Sequence, residues 1–67
     1  MQLVVNGEKR SFDPPPATVE ELVVALGLPS QQIAVEVNGR VVKRADRKQH
    51  ALSSGDVIEI VTLVGGG

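Results

Sequence analysis

The chain has no cysteine, tryptophan or tyrosine, and Phe12 is its one aromatic residue. Without cysteine there is no disulfide, thiolate metal ligand or cysteine nucleophile, and the redox compartment stays undecided. Without other aromatics the core must be built from Val, Leu and Ile. No charge of one sign dominates: seven basic and eight acidic residues give a formal net charge of −1. That balance offers no electrostatic footprint for nucleic acid or an anionic membrane. No apolar run approaches the ~20 residues needed to cross a bilayer. The opening "MQLVVNGEKR" lacks the charged start and long apolar stretch of a secretory signal, so the expected location is the cytoplasm. There is no P-loop, dinucleotide-binding glycine pattern or hydrolase triad pattern. His50, the one histidine, lacks cysteine or carboxylate partners at metal-ligand spacing and reads as a loop residue.

What remains fits one small domain over residues 1–67. A chain this short buries only about 60% of its unfolded surface, so its core has to be well organised. Its hydrophobic content of 42% is that of an ordinary globular protein.

The stretch "QLVVNGEKRSF" is two short runs around Asn6-Gly7. That pair accepts positive φ at both positions and suits the type I′ turn of a two-residue hairpin. Val5 then faces Glu8 and Met1 faces Phe12, which puts Met1, Leu3, Val5 and Phe12 on the core side. In "DPPPATVEELVVALGLP" the prolines cannot lie inside a sheet. Thr18 followed by Glu21 forms a capping box, and Val19, Leu22, Val23 and Leu26 have the spacing of an amphipathic helix. Gly27 suits the left-handed residue after a helix and Pro29 blocks continuation, so a helix is expected over roughly 18–27.

A second hairpin-like pair follows. Ile33, Val35 and Val37 alternate with Ala34 and Glu36, and Asn38-Gly39 turns the chain into Arg40–Arg44. "ADRKQHALSSGD" is polar and irregular. Its basic cluster of Lys43, Arg44, Arg47 and Lys48 is interrupted by Asp46 and has no aromatic for stacking, so it reads as a solvated loop. "VIEIVTLV" is a β-branched strand with Ile58, Ile60, Thr62 and Val64 on one face and Val57, Glu59, Val61 and Leu63 on the other. A strand apolar on both faces is usually central. Glu59, Val61 and Leu63 either form an exposed patch away from the helix, a common mark of a partner surface, or are part-covered in the folded domain. The order is hairpin, helix, hairpin-like pair, loop and final strand, abbreviated ββαββ. It implies an α+β domain: one mixed sheet, one helix packed across it, and the last strand beside the first.

The chain closes on Gly65-Gly66-Gly67. Three glycines at a preset place have a chance of roughly 0.0003, so either this terminus has a task or cloning added it. Residues 64–67 are expected to be mobile, since glycines lose much entropy when fixed.

The "NG" hairpins, the "TVEEL" helix start, the "GDV" lead into the last strand and the final Gly66-Gly67 resemble the ubiquitin-like β-grasp proteins. Among these the chain looks like the thiamine-biosynthesis sulfur carrier family (ThiS), over its whole length. The molybdopterin synthase small subunit is similar, but tends to be longer and to carry an aromatic or proline stretch before its diglycine, which "VTLVGGG" lacks. The resemblance implies a carrier, not an enzyme. A ubiquitin-activating-like adenylyltransferase would use Mg-ATP to adenylate the Gly67 carboxylate, the chain itself binding no cofactor. Sulfur drawn from cysteine through a desulfurase would replace AMP, and thiazole synthase would accept it from the thiocarboxylate. Gly65 and Gly66 would thread the tail into the partner, and Val61, Leu63 and Val64 would contact that partner. Sulfur carriage for molybdopterin or another thio-product, protein conjugation and a plain interaction module remain open alternatives.

These residue types suit that chemistry. An α-carboxyl titrates at about 3.3–3.7 and is therefore ionised at neutral pH, able to attack a phosphate without a base of its own. Glycines lack Cβ, so the tail can pass a narrow channel and leave the acyl carbon open. Cationic groups to stabilise the phosphoryl charge must come from the partner.

Overall fold

In a computed structural model the structure describes residues 1–63. Strands β1 (Gln2–Val5) and β2 (Glu8–Ser11) form the first hairpin, with Val5 opposite Glu8. Asn6 and Gly7 turn it with φ of 49° and 81°, the positive pair that a type I′ turn requires. The Met1 and Phe12 main chains bond to each other at 2.9 and 3.1 Å, extending the hairpin as its register predicts.

Helix α1 spans Val19–Leu26, with Thr18 at its N-cap and Gly27 left-handed at its C-cap. The orphan amides of its first turn are all met. Glu21 N–H donates to Thr18 Oγ1, Leu22 N–H to the Thr18 carbonyl, and Val19 and Glu20 N–H to the carbonyls of His50 and Arg47. The returning carboxylate of Glu21 accepts from Ala17 N–H at 3.0 Å, one residue earlier than a capping box anticipates. The backbone there runs alongside Ala51 and Leu52, with Leu52 N–H donating to the Ala17 carbonyl.

Strands β3 (Ile33–Val37) and β4 (Arg40–Val42) pair antiparallel around a second positive-φ turn at Asn38 and Gly39. The last strand, β5 (Val57–Thr62), lies parallel to β1 and antiparallel to β3. The sheet order β2-β1-β5-β3-β4 places β5 at the centre, beside the first strand as expected. The abbreviation ββαββ undercounts: β3 and β4 are both formed in addition to β5, so the element order is ββαβββ. The second pair is a true hairpin, because its turn residues accept the left-handed geometry.

One face of this sheet carries the core. Leu3, Val5, Ile33, Val35, Val37, Val42 and Ile58 are buried against Val19, Leu22 and Val23 of α1 and against Leu52. Met1, Phe12, Leu26 and Ile60 close its margin. The core is aliphatic throughout, as the shortage of aromatics dictates. At ~25 cal/mol per Å2 of apolar surface removed from water, this layer is the main source of folding free energy.

Arg47 corrects the solvated reading of the basic cluster. Only 2% of its surface is exposed, while Lys43, Arg44 and Lys48 are open to solvent. Its guanidinium donates to the carbonyls of Ser30 at 2.8 Å and Ile33 at 2.9 Å. Those carbonyls bracket the short 3-10 turn Ser30–Gln32, which enters a sheet strand and needs donors there. The side chain thus ties the irregular segment to the start of β3, while its own carbonyl caps α1.

Candidate functional site

Central strand β5 has two unlike sides. Ile58 is buried in the core and Ile60 half-buried, whereas Val57, Glu59, Val61 and Leu63 point the other way. No element of the described residues covers that second side. Val61 is 57% exposed and Leu63 54%. Val41, the partner of Glu36 across the β3–β4 ladder, joins them at 68%. The exposed alternative for Val61 and Leu63 is therefore the one the structure adopts. Val57, which strand parity already put on this face, is 41% exposed, and the patch is larger than the sequence suggests because Val41 extends it across the sheet to β4.

The β3–β5 register sets the middle of this face. Ala34 stands opposite Val61, and Glu36 directly opposite Glu59. Contiguous exposed apolar surface is a common mark of a partner surface; on this one two carboxylates stand at the middle, where interface cores are usually poor in charge. Beside it, Ala34, Val41 and Leu63 help wall an open depression of about 300 Å3, with Gln31, Arg44 and Arg47 at its far side.

Leu63 is the last described residue, and its N–H donates to the Gln32 carbonyl at 2.7 Å. The chain is therefore held to the sheet up to the residue before Val64. Val64 and the glycines Gly65, Gly66 and Gly67, expected to contact a partner, thread into it and carry the reactive carboxylate, lie outside the described residues. So does the expectation that 64–67 are mobile. His50 takes part through its carbonyl, which accepts from Val19 N–H at 3.0 Å. No helix of the described residues is long and apolar enough to cross a membrane.

A small β-grasp sheet with one helix packed across it and a central last strand leading to glycines is the arrangement the sequence anticipates; the open second face is one of the two alternatives it left. The family model described as the ThiS family matches residues 3–67. The chain belongs to the ThiS family. The crystal structure of the thiamine biosynthesis protein ThiS from Geobacter metallireducens superimposes with a TM-score of 0.88 at 33% identity, covering 100% of both chains. The solution structure of a thiamine biosynthesis protein from the same organism gives a TM-score of 0.82 at 33% identity, covering this chain fully and 88% of that one. Two curated relatives, both called thiazole synthase, are 45% identical (Paramagnetospirillum magneticum) and 36% identical (Magnetococcus marinus) over all 67 residues. This chain spans about a fifth of the length of each, 20%.

Sequence reasoning missed two features of the site. The Glu36–Glu59 juxtaposition needs the β3–β5 register, which no tight turn sets. Val57 was already on the face of Val61 and Leu63 by strand parity, but only the strand order brings Val41 onto the same surface.

Proposed function

We propose that this chain is a sulfur carrier for thiazole formation, and that the carboxylate of Gly67 is its reactive group. The observation that carries the reading is β5 itself: central in the sheet, open and apolar on one side, and leading straight into Gly65-Gly66-Gly67. A ubiquitin-activating-like adenylyltransferase docks on the open face at Val61 and Leu63, with Val64 continuing the contact, and takes the tail into its own active site. There a carboxylate oxygen attacks the α-phosphorus of Mg-ATP and pyrophosphate leaves. Adenylation converts a poor leaving group into AMP, which a persulfide supplied through a cysteine desulfurase displaces to give an acyl disulfide; a thiol then cleaves that S–S bond, its own sulfur leaving as a disulfide with the persulfide's carrier. The product is a thiocarboxylate. Mg and ATP belong to the partner, which also provides the cationic groups for the phosphoryl charge.

Thiazole synthase is the proposed acceptor. In the two relatives that bear this name, the segment matching the chain forms part of the same polypeptide, which supports thiazole over molybdopterin as the destination of the sulfur. The folded body acts as a handle that presents the tail to successive enzymes. The test is carrier-dependent exchange of labelled pyrophosphate into ATP by the adenylyltransferase. Deleting Gly67 should reduce exchange to background while leaving the folded domain intact. Undiminished exchange with the deletion would show that the carboxylate acts elsewhere or not at all.

A further inference from the structure

The open face of the sheet is not simply greasy. Glu36 and Glu59 stand directly opposite each other on adjacent antiparallel strands, where facing Cβ atoms are about 4.5–5.5 Å apart. Like charges so placed repel and weaken the sheet. The same-face neighbours directly beside the pair are apolar, and the next cation by register is the exposed Lys43, two residues beyond Val41. Along β5 Glu59 has Val57 and Val61, and across the β3–β4 ladder Glu36 has Val41. Neither carboxylate takes part in the side-chain hydrogen bonds of the described residues. Thr is a better strand former than Glu and would remove the repulsion, so strand formation alone does not call for an acid at either position.

We propose that this pair selects a partner surface presenting a basic side chain ringed by apolar residues, and that the adenylyltransferase supplies it. The inference rests on the docking role given above to this face, and adds the chemistry of what docks. Three features bear on it. First, a guanidinium or ammonium placed between the two carboxylates relieves their repulsion at the moment of binding, and the surrounding Val41, Val57, Val61 and Leu63 exclude water, which strengthens the contact. Second, the charges discriminate against self-association. Two copies meeting through this face bring four carboxylates together, so the apolar patch stays available for a different protein. Third, the face is continuous with Leu63, where the tethered strand ends, so an enzyme that receives the tail lies over it.

The pair therefore has opposite effects in the free and bound states. In the Glu36→Gln/Glu59→Gln variant the free domain should melt at the same temperature or a few degrees higher. Its affinity for the adenylyltransferase of its own organism, measured by calorimetric titration of the whole carrier, should fall about tenfold at low salt. In the exchange assay KM for the carrier should rise with kcat unchanged, because the acids bind and do not react. The deficit should shrink as salt is raised, since screening removes the advantage from the unmodified chain. Val61→Asp serves as the companion variant. If it abolishes binding while the double glutamine variant binds normally, the face docks but the acid pair does not select the partner, and this inference is overturned alone. If neither variant changes affinity, the docking reading fails and takes the inference with it.

Discussion

The two sides of β5 are written in nearly the same alphabet. Ile58 and Ile60 face one way, Val57, Val61 and Leu63 the other, yet the first side is packed beneath α1 and the second is open. Hydrophobicity alone does not tell these sides apart. What separates them is coverage: the described residues form one α-helix, and it covers one face of a five-stranded sheet. The apolar residues left over on the second face are only partly covered and contribute less to the stability of the monomer. The comparison teaches that parity along one strand divides folding from recognition, and that the division can be tested residue by residue.

The largest effect is expected on the covered side. Ile58→Ala removes a fully buried side chain from the centre of the core and should cost about 2–5 kcal/mol in chemical denaturation. That is a large part of the stability available to a domain this small. Arg47→Met comes next. It keeps most of the packing volume but leaves the Ser30 and Ile33 carbonyls without their donors, for about 1–3 kcal/mol; an unchanged denaturation midpoint would return Arg47 to the solvated loop. Thr18→Ala, which loosens the helix that does the covering, should cost about 1 kcal/mol by the same measurement. Val61→Ala is the counterpart of Ile58→Ala on the open side and should change stability by less than about 0.5 kcal/mol, while weakening binding to the adenylyltransferase in a titration. If Val61→Ala destabilises the domain as Ile58→Ala does, the division between the two faces is wrong.

The features legible in the sequence are those fixed by short-range rules. The two Asn-Gly turns demand positive φ and obtain it. The helix announces its start at Thr18 and its end at Gly27, and both serve as caps. The central place of β5 followed from its apolar residues on both faces. What was not legible depends on contacts between distant segments. Arg47 looked like one of four exposed cations because its acceptors, Ser30 and Ile33, lie 17 and 14 residues away and are main-chain carbonyls, to which any sequence contributes equally. The Glu21 carboxylate takes Ala17 N–H where residues 17–18 pair with 51–52, a pairing again invisible locally. The patch was readable as Glu59, Val61 and Leu63. Its acid pair was not, because β3 and β5 meet only after residues 40–56 have run their course.

The central claim is that the carboxylate of Gly67 becomes the sulfur-bearing group while the folded body only presents it. The measurement closest to that claim is the intact mass of two chains, each incubated with the adenylyltransferase, Mg-ATP and a sulfur source. One ends at Gly67 and the other carries a single added alanine beyond it. The account predicts that the first gains the mass of sulfur in place of oxygen and that the second is unchanged. Sulfur gained by both chains, or by neither while the enzyme activates an authentic carrier, would contradict it.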